Sequence, residues 1–139
     1  METNGKRPEV VCLCGSTRFK DAFLKAQLDL TLAGKIVVTV GGFGHADHDK
    51  SPEEVWGLEQ KQALDRLHKW KIDMADTVLV LNVGGYVGDS TKSEIAFAVC
   101  RAKNIQFLEP NSSEAIFDSL KGLAHKAVVE MKEMGLLPW

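Results

Sequence analysis

Glu94 lies in NVGGYVGDSTKSEIAFA, residues 82–98, where three glycines, Asp89 and the hydroxyls of Ser90, Thr91 and Ser93 separate an apolar run from an amphipathic one. A carboxylate in this setting has two chemical uses. Thr91-x-x-Glu94 has the spacing of a capping box, in which the two side chains satisfy amides at a helix start, worth about 1 kcal/mol. The same carboxylate is suited to nucleophilic attack, with Asp89 close by as proton donor to a departing group. Three glycines favour the second use, because a cap does not need them and a backbone wrapped around a ligand does.

A second group is CGSTRF, residues 14–19. Gly15 permits a tight turn, and the amides of Ser16, Thr17 and Arg18 open a helix whose N-terminal end attracts an anionic or hydroxyl-rich ligand. Ser16 as an ordinary N-cap is the alternative. Cysteine usage points elsewhere: Cys12, Cys14 and Cys100 are an odd number, set in apolar or helical patterns, which is how buried thiols are used in a reducing compartment. A Cys-x-Cys pair with no second Cys or His pair near it in sequence is a poor zinc signature, so neither metal nor cofactor is expected.

These groups need a scaffold, and the chain supplies an alternating one. Four runs rich in Val, Ile and Leu (residues 9–14, 35–40, 77–83 and 104–109) are continuously apolar, as strands covered on both faces must be. Helical patterns separate them. The first runs from Ser16 to Ala33, with Phe19, Phe23, Ala26, Leu30 and Ala33 inward and Gly34 as its stop. The second opens on Ser51-Pro52-Glu53-Glu54 and carries Trp56, Ala63, Leu67, Trp70 and Met74 towards the sheet. A third covers 91–103, and a fourth follows Pro110 and ends before Gly135. Alternation of this kind predicts a three-layer α/β/α sandwich, flavodoxin- or Rossmann-like, with a parallel sheet of four to five strands in the order 2-1-3-4. Ligands bind such sheets beyond the carboxyl ends of strands one and three, where the winding reverses. Both glycine-rich groups fall there.

Composition bounds the partners. The 139 residues are 45% hydrophobic and 26% charged with net charge -2, which suits one globular domain over residues 1–139. Lys and Arg are scattered among acids, so no nucleic acid polymer is expected as partner. METNGKRPE lacks the apolar stretch of a signal sequence, and no segment approaches the ~20 apolar residues of a membrane span. A cytoplasmic address without membrane attachment is the expectation.

CGSTRF, then KIDMAD before an apolar strand, then NVGGYVGDSTKSEIAFA and finally NIQFLEP, in that order over residues 9–110, resemble the nucleoside 2-deoxyribosyltransferase-like family, particularly its small bacterial and phage-type members. The resemblance implies cleavage of the N-glycosidic bond of a (deoxy)nucleoside or its 5′-monophosphate. Glu94 matches the family's nucleophile, which forms a glycosyl-enzyme intermediate that a second base or water then captures. The family's second carboxylate would fall on Gly88, and Asp89-Ser90 beside it stands between the transferase pattern and that of the monophosphate hydrolases. Transfer or hydrolysis, and nucleoside or nucleotide, stay open. The implied pocket comprises Gly15, Ser16, Thr17, Arg18, Gly42, Phe43, His45, Gly84, Gly85, Tyr86, Gly88, Ser90 and Thr91. Phe43 would stack on the base and His45 or His48 bond to it, while Ser16, Ser90 and Thr91 would hold a phosphate. Asp73 and Asp76 in KIDMAD read as helix-end residues, which leaves Asp89 as the acid. A homodimer or higher homo-oligomer is implied as well. Two other functions share the motifs: a cytokinin-activating phosphoribohydrolase, whose Gly-Gly-x-Gly-Thr-x-x-Glu this chain interrupts with extra residues, and a non-catalytic sensor of a nucleotide-derived ligand.

Overall fold

A computed structural model describes residues 5–43, 52–111 and 113–137. His45 and His48, expected to bond to the base, lie outside the described residues. The elements run β1 (Val10–Cys14), α1 (Lys20–Leu32), β2 (Ile36–Val38), α2 (Pro52–Trp56), α3 (Leu58–Met74), β3 (Thr77–Val80), α4 (Asp89–Cys100), β4 (Asn104–Phe107), α5 (Ser113–Ser119) and α6 (Leu123–Glu133). The four strands form one parallel sheet in the order β2-β1-β3-β4, as the alternating pattern predicts. No helix among the described residues is long and apolar enough to cross a membrane.

β1 explains why its sequence does not alternate. All five of its residues are buried, because helices cover both faces. Val10, Cys12 and Cys14 enter the larger core with Val78, Val80, Ile72 and the inner side of α4. Val11 and Leu13 enter a smaller one with Phe23, Ala26 and Leu81. The two thiols therefore share a face with α3 and α4, whereas α1 lies across the sheet.

Several boundaries move. α1 begins at Lys20 rather than Ser16, with Phe19 in the cap position, and Gly34 stops the chain in the left-handed region at φ +85°. The expected single second helix is two, divided at Gly57, where φ is +86°. The fourth is also two, divided at Gly122, which is left-handed as well. α4 starts at Asp89, two residues before the predicted Thr91. The apolar residues of α3 are a correction in kind: Leu67, Trp70 and Met74 are 51%, 38% and 69% exposed, and the buried side carries His68, Lys69 and Ile72. The periodicity is real, but it faces outward.

Two ion pairs fasten the amino-terminal side of the sheet. Asp76 accepts from both terminal nitrogens of Arg7 and, at 2.8 Å, from the amide of Val10. The Arg7 hydrogen bond and the Val10 amide hold the Asp76 carboxyl below its ordinary value. Asp73 takes Arg101 at 2.7 Å and so ties the end of α3 to the end of α4. Both acids are structural, as their sequence context suggests.

Candidate functional site

Glu94 sits in the second turn of α4, and the geometry of that helix start decides between its two uses. The cap position is Gly88, with no side-chain cap hydrogen bond, and Thr91 is already inside the helix and buried. Thr91 and Glu94 therefore do not form a capping box. The carboxylate instead turns towards α3, where its Oε2 lies 3.8 Å from Nε2 of His68. Their side chains are 13% and 8% exposed.

His68 is a junction. Its Nε2 lies 3.1 Å from the carbonyl oxygen of Leu13, 3.5 Å from Cys14 Sγ and 3.7 Å from Cys12 Sγ. With one proton on that nitrogen, the Leu13 carbonyl accepts it and the sulfurs pack around the ring. Burial works against a charged imidazole, yet the Glu94 carboxylate and the hydrogen bond with Cys12 outweigh it and raise the His68 pKa to about 9. Burial raises Glu94 to about 7 against the pull of the His68 charge. Cys14 and His68 draw the Cys12 thiol down to about 6, whereas the bond to Cys12 and burial push Cys14 up. Carboxylate, imidazole and thiols thus share protons in one small enclosure.

The enclosure opens on a cavity of about 630 Å³ between α3, α4 and α6. That volume is in the range of small-molecule binding sites. Glu94, Asp89 and Ser90 line it, together with Lys61, Asp65, Arg66 and Lys69 of α3 and Lys126, Glu130 and Glu133 of α6. Lys61 donates to Asp65 at 2.6 Å and lies 3.4 Å from Ser90 Oγ. Lys69, nearly fully buried, donates to Ser93 Oγ at 2.8 Å and Glu130 Oε2 at 2.5 Å. The other oxygen, Oε1 of Glu130, is buried with no hydrogen-bond partner among the described residues.

Of the residues singled out in the sequence, Glu94, Asp89, Ser90 and Ser93 meet at this cavity, and the other described ones do not line it. Gly15 is held by packing, since a Cβ there would sit 3.2 Å from both Cβ and O of Leu81. Ser16 Oγ accepts from Arg18 Nε at 3.1 Å, and the Arg18 guanidinium lies 4.8 Å from the centroid of the Tyr86 ring, with Phe19 edge-on to the same ring. Thr17 belongs to this same loop. Gly84 and Gly85 form a 3-10 turn at φ +63° and +81°, and the amide of Gly84 donates to the carboxylate of Glu109. Gly88 lies beneath the Tyr86 hydroxyl, Gly42 is exposed, and Phe43 packs edge-on to Phe23 in the smaller core. Arg18, Phe19 and Tyr86 thus form their own cluster, outside the cavity wall.

Sequence reading missed His68, Lys69 and the cavity-facing charges of α3 and α6. A signal exists in retrospect: Lys61, Asp65 and the adjacent pair His68 and Lys69 follow one another at three- to four-residue spacing, a polar face that reads as solvated until something packs over it. Among the described residues, Cys12, Cys14 and His68 could together hold a metal, with one ligand atom each and all within 4.8 Å of one another. Compared with family models, curated proteins and solved structures, the chain matches none of them.

Proposed function

We propose that this chain cleaves the N-glycosidic bond of a nucleoside or nucleoside 5′-monophosphate through a covalent intermediate on Glu94. The observation that carries the reading is the placement of Glu94: a nearly enclosed carboxylate on a 630 Å³ cavity, released from any capping role and held by a cationic histidine. In the first step the carboxylate oxygen attacks the anomeric carbon, the C–N bond breaks with its electron pair on the base, and Asp89 supplies the base with a proton. In the second step water or another base attacks the same carbon, Asp89 takes the proton that this nucleophile loses, and Glu94 leaves as the carboxylate. His68 keeps a usable fraction of Glu94 ionised at neutral pH despite burial. Ser90 and Lys61, beside the start of α4, favour a substrate carrying a phosphate.

Incubation with common nucleosides and 5′-monophosphates, with and without a second base, tests the reading by chromatography. Release of free base that Glu94→Ala reduces on the order of 10³-fold or more supports it. Saturable binding without turnover would instead favour a sensor. A 2-fluoro sugar analogue followed by intact mass tests the covalent step, and turnover without an adduct on Glu94 would remove the nucleophile. Self-association belongs to the same proposal, and the outward apolar stripe of α3 supports it.

A further inference from the structure

Residues two apart on a strand project from the same face, so Cys12 and Cys14 of β1 present both sulfurs to the layer of α3 and α4. His68 reaches down onto them from α3, and Glu94 approaches the same imidazole nitrogen from α4. We propose that Cys12, Cys14 and His68 form a binding site for a soft divalent cation of the zinc class, with Glu94 as the fourth ligand.

The distances carry the inference. Zinc bonds of about 2.3 Å to sulfur and 2.0–2.1 Å to nitrogen at tetrahedral angles put those ligand atoms about 3.6 Å apart. The sulfurs lie 3.5 and 3.7 Å from Nε2 of His68, and Glu94 Oε2 lies 3.8 Å from it. The three ligand atoms of Cys12, Cys14 and His68 are all within 4.8 Å of one another, so closing on an ion needs side-chain adjustments rather than movement of the sheet. Two thiols with an imidazole select zinc or cadmium over magnesium or calcium, which prefer oxygen. The partly open side chain of Glu94 gives the ion an entry from the cavity.

Binding involves no oxidation. Each thiol still protonated gives its proton to solvent and becomes a thiolate. His68 surrenders the Nε2 proton it gives to Leu13, keeps the one on Nδ1 and binds neutral, so proton release accompanies uptake of the ion. One consequence rests on the proposed function: a Glu94 oxygen bonded to metal cannot attack a sugar, so the ion inhibits the enzyme and a chelator restores it. Binding itself does not depend on that reading.

The test uses the full chain, reduced and stripped of metal, titrated with cadmium while thiolate-to-metal charge-transfer absorbance is followed. The expected result is a band saturating at one ion per chain, displaced by zinc, lost in Cys12→Ala and in Cys14→Ala, and kept in Cys100→Ala. No band, or a band that disappears with Cys100, overturns the site. Should a variant fail to fold by circular dichroism, X-ray absorption of the zinc-loaded wild-type chain decides: two sulfur neighbours support the site, and oxygen and nitrogen alone overturn it. Base release by the metal-free chain is measured separately, so failure of one proposal is not mistaken for failure of the other.

Discussion

Glu94 Oε2 and His68 Nε2 stand 3.8 Å apart across the α3–α4 seam, a carboxyl group and an imidazole almost removed from water. Each holds the other's charge against burial, so the ionisation of the carboxylate is a property of the pair.

That dependence sets a pH profile. A nucleophilic carboxylate must be unprotonated, and with the Glu94 pKa raised to about 7, base release falls as pH drops through about 7. His68 pulls that pKa downward, so His68→Gln shifts the acid limb of the profile to higher pH and lowers the rate at neutrality. Turnover measured across pH for both chains checks this. An acid limb that stays in place, or moves to lower pH, would show that the imidazole does not control the carboxylate.

A second buried ion pair lies on the wall of the same cavity, between α3 and α6. Lys69 and Glu130 join α3 to α6 at 2.5 Å, and their side chains are 3% and 11% exposed. Lys69→Ala leaves a buried carboxylate with no cation, and the expected loss of stability is about 3–5 kcal/mol. Lys69→Met combined with Glu130→Leu removes both charges at similar volume and is expected to be close to neutral or stabilising. Urea unfolding of the single and paired variants measures the difference. A paired variant as unstable as Lys69→Ala would mean that the hydrogen bond to Ser93 or the shape of the seam, rather than charge burial, sets the cost.

These pairs also show where sequence legibility stops. The sheet was readable because burial on both faces leaves a local mark, a continuous apolar run such as Val10–Cys14. Asp89, Ser90 and Glu94 were readable because one short stretch of chain, the first two turns of α4, carries them to the cavity. His68 was not, since 54 residues separate it from Cys14 and only the crossover through α3 brings the two together. The capping box was a plausible local pattern, but the cap falls on Gly88, three residues before Thr91. Gly57 and Gly122 interrupt patterns whose periodicity continues on either side, so the breaks left no trace in the spacing.

Gly15 tests whether the loop after β1 is shaped by packing or by a ligand. A methyl group there would sit 3.2 Å from Cβ and O of Leu81, and Leu81 is itself fully buried. Gly15→Ala is accordingly expected to cost about 1–3 kcal/mol through overpacking, with the chain still folded. Thermal melting reads the loss. A variant of unchanged stability with weakened substrate binding would reverse the assignment and return Gly15 to the pocket.

The outward face of α3 carries the remaining prediction. Leu64, Leu67, Trp70 and Met74 recur every three or four residues, each between 36% and 69% exposed, while the opposite side of the same helix presents Lys61, Asp65, His68 and Lys69 to the cavity and core. An isolated helix of this composition would gain by burying its apolar side. Here the polar side is committed first, because Lys69 has its partner on α6 and His68 its contacts on β1, so the stripe must find cover from another molecule or remain in water. A second copy of the chain is the simplest cover, and sedimentation is expected to show a dimer or larger assembly at micromolar concentration. Leu67→Glu with Met74→Lys places charges on the stripe without touching a cavity residue, and is expected to shift the distribution to monomer with little change in the melting of the isolated chain. A wild-type chain that sediments as a monomer at all concentrations would leave the stripe without a partner of its own kind.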